Sequence, residues 1–102
     1  MTQSRPRWRV ATVVHEHFEW DRAKAAANLI KHGVSLVEAS TVLQSLDAKD
    51  FADPVDPLRV ITIGFSVVAR MLVVVSTEPG VRVRIISARR ATPAERRAFD
   101  QG

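Results

Sequence analysis

The chain has no cysteine and no tyrosine in 102 residues. Without cysteine there is no disulfide framework, no zinc ribbon and no thiol nucleophile. Without tyrosine no phenol serves as an acid, a base or a stacking ring. Four glycines and five prolines mark no linker, and no repeat is visible. Long apolar runs are missing too. The longest, Val60 to Val75, is 16 residues long and is interrupted by Arg70. It is too short to span a membrane, and its β-branched composition reads as two buried strands. After Arg5, Arg7 and Arg9, the apolar stretch Val10–Val14 is too short for a secretory h-region, so a cytoplasmic chain without membrane contact is expected. No phosphate-cradling glycine loop, dinucleotide fingerprint or Ser-His-Asp elbow occurs, so no cofactor is expected.

What is present fits one domain of 11.3 kDa, with 46% hydrophobic and 25% charged residues, near the globular average. The net charge is +4 and the pI is about 10.7. That charge is unevenly placed. Residues 1–17 carry +2, residues 18–58 carry −3, and residues 59–102 carry +5 from eight arginines against three acids. The second half is an arginine surface, as expected for a polyanion or an acidic protein partner.

Helix starts are marked by capping chemistry. Asp21 precedes the alanine-rich run Arg22–Ile30, and Gly33 after Lys31-His32 is a left-handed stop. Ser35-Leu36-Val37-Glu38 is a capping box, with Ala39, Val42, Leu43 and Leu46 as its buried stripe. Thr92-Pro93-Ala94-Glu95 is a second box, opening a helix through about Phe99. Between them, Arg59–Gly64, Met71–Thr77 and Val81–Ala88 are β-branched and read as strands. The middle one is apolar on both faces and therefore central. Glu78-Pro79-Gly80 predicts an antiparallel hairpin between the last two. Val10–Trp20 is expected to add a strand, and Asp47–Pro57, with two Asp-Pro steps, to be a loop. The expected class is α+β: an antiparallel sheet, two N-terminal helices on one face and a short C-terminal helix.

In a straight strand, Arg82 and Arg84 share a face with Ile86 and Ala88, while Arg89 lies on the other. Arg59 and Arg70 begin the neighbouring strands. Such arginines can fork onto successive phosphates and stay charged at any pH, or they can form a solvated face whose stems cover apolar surface. Glu78, at the end of the central strand, is either a base beside this surface or a turn carboxylate paired with Arg82. His15 and His17 at i and i+2 are a conceivable metal pair, but no third ligand follows by spacing, so no metal is expected. His32 is a helix C-cap or an acid/base candidate. Trp20 is either core or a base-stacking ring.

Several separated blocks carry a resemblance. Phe18-Glu19-Trp20-Asp21, Lys24, Asn28, Lys31 to Ser35 and Glu38-Ala39 come first. Asp53-Pro54, Arg59 to Gly64, Leu72 to Val75 and Thr77-Glu78 follow in order, then Arg84 to Arg89, Ala91-Thr92 and Glu95-Arg96. Together they resemble the BrnT toxin family over residues 18–99. Residues 1–17 fall outside it as an N-terminal extension, leaving residues 18–102 as the single toxin domain.

The resemblance implies a RelE-like fold and a type II toxin that cleaves RNA and arrests translation. It also implies a DNA-binding BrnA-like antitoxin as partner, in a hetero-oligomer such as a heterotetramer holding two toxins. By position it implies Arg59, Glu78, Arg84 and Arg89 as catalytic, with His32 behind them. Arg82, Arg90, Lys24 and Trp20 would bind substrate. Ser76 stands where a histidine or aromatic is common in the family, and Phe99 where a tyrosine is common. A hairpin tip of Ser66-Val67-Val68-Ala69 replaces a more polar one. The rival reading is a non-catalytic module that docks RNA or an acidic partner.

Overall fold

The computed structural model describes residues 12–101. Residues 1–11 of the expected extension lie outside that range. The elements are β1 (Thr12–His15), β2 (Phe18–Asp21), α1 (Arg22–His32), α2 (Leu36–Leu43), β3 (Lys49–Ala52), β4 (Arg59–Phe65), β5 (Met71–Thr77), β6 (Val83–Arg90) and α3 (Pro93–Gln101).

The capping residues act as their chemistry dictates. The Asp21 carboxylate accepts from the Lys24 N–H at 2.9 Å, and Gly33 ends α1 at φ 67°, donating its N–H to Leu29 O at 2.9 Å. The Ser35 hydroxyl accepts from the Glu38 N–H at 3.0 Å. The expected reciprocal bond from Glu38 is replaced, because its carboxylate turns to Ser66 and Arg70. At α3 the box is complete: Glu95 N–H donates to Thr92 Oγ1 at 3.2 Å, and Thr92 N–H donates to Glu95 Oε1 at 2.9 Å. Leu46 is a correction. Helix α2 ends at Leu43, three residues too soon to turn Leu46 inward, and Leu46 is fully exposed.

The strands form one six-stranded sheet in the order β1-β2-β6-β5-β4-β3. Every pairing is antiparallel except β2 with β6, which is parallel, so the sheet is mixed. Two strands exceed the expectation. Val10–Trp20 holds not one strand but the β1–β2 hairpin, which turns at Glu16 (φ 56°) with His15 opposite Phe18. Lys49–Ala52, inside the expected loop, is an edge strand on β4.

Helices α1 and α2 lie on one face of the sheet over Phe18, Trp20, Leu72, Val74, Ile85 and Ala88, together with Val34, Leu36, Ala39 and Val42. On the opposite face α3 covers a smaller cluster of Ile63, Met71 and Val73, against which Phe51, Ile61 and Phe99 pack. Gly64 is needed where β4 meets the helical layer. A Cβ there would stand 2.9 Å from Ala48 Cβ and 3.1 Å from Ala48 Cα. Asn28, buried in α1, completes the edge of β6 beyond the short β2. It donates to Ala88 O at 2.8 Å and to Val34 O at 2.9 Å, and accepts from Ala88 N–H at 3.1 Å. No helix among the described residues is long and apolar enough to cross a membrane.

Candidate active site

Side chains directly opposite one another on paired strands share a sheet face. Arg59 on β4 stands opposite Thr77 on β5, Thr77 opposite Arg84 on β6, and Arg84 opposite Glu19 on β2. These four residues therefore form one row across four adjacent strands, on the face away from α1 and α2. At ordinary strand spacing the Arg59 and Arg84 Cα atoms lie about 10 Å apart, within joint reach of one phosphate for two long side chains.

A β-bulge makes this face. The β5–β6 register shifts between Val75 and Ser76: Val75 pairs with Ser87 while Ser76 pairs with Ile85, leaving Ile86 as the extra residue. A straight strand would put Arg84 and Arg89 on opposite faces. The bulge puts them on the same one, because Arg89 stands opposite Val73, an even number of β5 residues from Thr77. This corrects the straight-strand expectation. Arg89 sits four β5 residues along from the Arg59–Arg84 row, about 13 Å away, at the start of α3.

Each of these arginines is held by a carboxylate. Arg84 Nη1 donates to Glu19 Oε2 at 2.6 Å. Arg89 grips Glu95 with both Nη atoms, at 2.7 and 2.5 Å. That bidentate pair holds the Glu95 carboxyl down at about 2 and raises the Arg89 guanidinium. Arg59 Nε lies 3.4 Å from Asp56 Oδ2. The loop before β4 is fixed by its own side chains: Asp53 Oδ1 accepts from the Val55 and Asp56 N–H groups, and Asp56 Oδ1 from Leu58 N–H. Thr77 Oγ1 donates to Leu58 O at 2.7 Å and ties that loop to the row.

Other expected site residues lie elsewhere. Glu78 follows Thr77 and is exposed. It lines a cleft of about 330 Å³ on the helical side with His17, Asp50, Ser76 and Val83. It has neither the Arg82 partner nor a place in the arginine row. Ser76 faces the same cleft and is buried, so the family departure there does not alter the arginine face. Arg90 stands opposite Leu72, also on the helical side. Lys24 and His32 belong to α1 in the helical layer. Arg82 is exposed just before β6.

Trp20 as a stacking ring is corrected: it is 4% exposed and part of the core. His15 and His17 are corrected as strand neighbours, because the turn at Glu16 separates them. Among the described residues, no group of three or more His, Asp or Glu is placed to hold a metal ion.

Glu19 and Thr77 join the row without being expected there from the sequence. Glu19 carries a readable signal: it lies between Phe18 and Trp20, both buried in the helical-side core, so alternation points it to the opposite face. Phe99 meets Phe65 edge-on, with ring centroids 5.9 Å apart, and carries Lys49 Nζ 4.9 Å from its ring centroid. Its role is packing of α3.

A model of the ribonuclease toxin BrnT of type II toxin–antitoxin systems matches residues 20–95. The fold is similar to the crystal structure of the Brucella abortus ribonuclease toxin BrnT, with a TM-score of 0.58 and 28% sequence identity. That match covers 72% of this chain and 92% of that chain. No curated protein sequence matches. The family match spans well over half of the chain and the fold agrees with it: the chain belongs to the BrnT family of ribonuclease toxins of type II toxin–antitoxin systems.

Proposed function

We propose that this toxin cleaves RNA without a metal ion, from the sheet face opposite α1 and α2, and that a BrnA-like antitoxin neutralises it by covering that face. The observation that carries the reading is the row Arg59–Thr77–Arg84–Glu19, which lies beyond the Ile63, Met71 and Val73 cluster on which Phe99 of α3 packs.

RNA cleavage needs the 2′-hydroxyl aligned behind the scissile phosphorus and negative charge stabilised on the non-bridging oxygens. Two guanidiniums on rigid paired strands supply that charge at any pH and cost no reorganisation at the moment of reaction. Arg84 and Arg59 act on the scissile phosphate. Arg89, further along the face, holds a neighbouring phosphate, and Arg82 contacts the backbone at the rim. Glu78, His32, Lys24, Arg90 and Trp20 lie off this face and have no place in the centre.

A type II toxin implies an antitoxin as well as an RNA substrate. The carboxylates seated on Arg59, Arg84 and Arg89 support an acidic segment of the antitoxin as the group that takes the place of RNA phosphates there. A heterotetramer with two toxin copies is the assembly we expect. The test is incubation of the purified toxin with an RNA transcript in excess EDTA. Cleavage supports the metal-independent enzyme, whereas intact RNA with retarded mobility supports a binding module instead.

A further inference from the structure

The arginine face supplies charge stabilisation, yet arginine is a poor base, and proton transfer lacks an owner among the residues the sequence suggests. Three carboxylates are seated on the arginines of this face, and their bonding differs. Glu95 is fixed by the bidentate Arg89 pair and by the Thr92 N–H at the start of α3. Asp56 is occupied by the Leu58 N–H within its turn. Among the described residues, the Glu19 side chain bonds to Arg84 alone. Its backbone is nevertheless clamped between β1 and β6, opposite Val14 and Arg84. Glu19 is therefore the carboxylate whose backbone is fixed in the sheet and whose side-chain partner is the guanidinium that a phosphate would take.

We propose that Glu19 is the general base of RNA cleavage, set free when the scissile phosphate replaces it on Arg84. The proposal rests on the arginine-face reading above. In the free protein, Glu19 holds Arg84 Nη1, a donor that a phosphate oxygen would otherwise take. When RNA binds, a non-bridging phosphate oxygen takes Arg84 Nη1, and the displaced carboxylate remains next to the row. There it accepts the proton of the 2′-hydroxyl. The 2′-oxygen forms a bond to phosphorus, and the bond from phosphorus to the 5′-oxygen breaks. The 5′-oxygen leaves with a proton taken from water, and Glu19 returns its proton to water. The products are a 2′,3′-cyclic phosphate and a 5′-hydroxyl, with no redox change and no cofactor. The Glu19–Arg84 pair thus also keeps the base from acting before phosphate arrives.

The test compares wild type, Glu19→Gln, Glu19→Ala and Arg84→Ala, each checked for native far-UV circular dichroism. Cleavage and binding of an in vitro transcript are measured in a cell-free translation reaction, so that ribosomes are present. General-base catalysis is worth 10²–10⁴-fold, so Glu19→Gln is expected to cleave at least about 100-fold more slowly. It should retain RNA as well as or better than wild type, because Arg84 loses its internal competitor. Added formate should restore part of the Glu19→Ala rate. Arg84→Ala should lose cleavage and weaken binding together. A Glu19→Gln variant cleaving at the wild-type rate overturns the proposal. So does a Glu19→Gln variant that loses binding along with cleavage, because Glu19 would then only position Arg84. If Arg84→Ala itself cleaves normally, the arginine-face reading fails and the base assignment falls with it.

Discussion

Arg89 and Glu95 are joined by two short hydrogen bonds, at 2.7 and 2.5 Å, and the same Glu95 carboxylate closes the first turn of α3 through the Thr92 N–H at 2.9 Å. One side chain thus fastens both the end of β6 and the C-terminal helix.

That fastening is pH-dependent. The Arg89 guanidinium, aided by Thr92, lowers the folded Glu95 carboxyl from 4.5 to about 2. A depressed carboxylate stabilises the fold fully above its unfolded value and loses that contribution as pH falls through the folded one. Urea unfolding of wild type and Glu95→Gln should therefore differ by about 1 kcal/mol at pH 7 and converge toward pH 2. A difference that stays constant with pH would show that the pair adds nothing through ionisation.

Asn28 is the second fastening. Its amide makes three bonds to backbone groups of Val34 and Ala88 where β2 is too short to pair with β6. Asn28→Ala leaves a buried N–H and two carbonyls without partners, a loss on the order of 3 kcal/mol. Asn28→Asp should rescue little, because a carboxylate cannot donate to the two carbonyls. Chemical denaturation of both variants checks this.

The β4–β5 hairpin carries a cost that can be removed. Ala69 sits at φ 63°, in the left-handed region, where a three-residue loop ordinarily places glycine. Ser66 N–H donates to Arg70 O at 2.9 Å, so the loop closes around residues 67–69. Ala69→Gly should raise stability by about 1 kcal/mol, since it relieves the left-handed penalty. A lower urea midpoint for the variant would refute this.

The same hairpin is pinned to α2. The Glu38 carboxylate takes Arg70 Nε at 2.9 Å and a second, shorter contact from Arg70 Nη2, and accepts from Ser66 Oγ at 2.7 Å. Arg70 holds the Glu38 carboxyl below the ordinary carboxylate range against the opposing effect of burial. Glu38→Ala should cost roughly 2 kcal/mol and speed amide hydrogen exchange at Ser66 and Val67 more than at β6. Equal effects on both would place the role of Glu38 outside the hairpin.

Local chemistry made much of this fold legible. Asp21, Ser35 and Thr92 announce their helices, and the β-branched runs announce β4, β5 and β6. Long-range register was not legible. Lys49–Ala52 is a short polar segment that becomes a strand only because β4 is there to pair with it. The β1–β2 turn uses a glutamate at positive φ and carries no Asn-Gly signal. Most consequential is the bulge at Ile86, which no composition rule marks. It brings Arg84 and Arg89 to one face, and with it the arginine surface expected from charge becomes a defined row. Glu78 looked adjacent to that surface in sequence, yet one step past Thr77 it falls on the side of Ser76 and the cleft.

The central claim is that Arg59 and Arg84 together stabilise the charge on the scissile phosphate. Its most direct test is single-turnover cleavage of an RNA transcript by Arg59→Ala and Arg84→Ala, in EDTA and with folding verified by urea unfolding. Loss of one preorganised donor should slow cleavage about 100- to 1,000-fold for each variant. Wild-type cleavage rates in either folded variant would contradict the account.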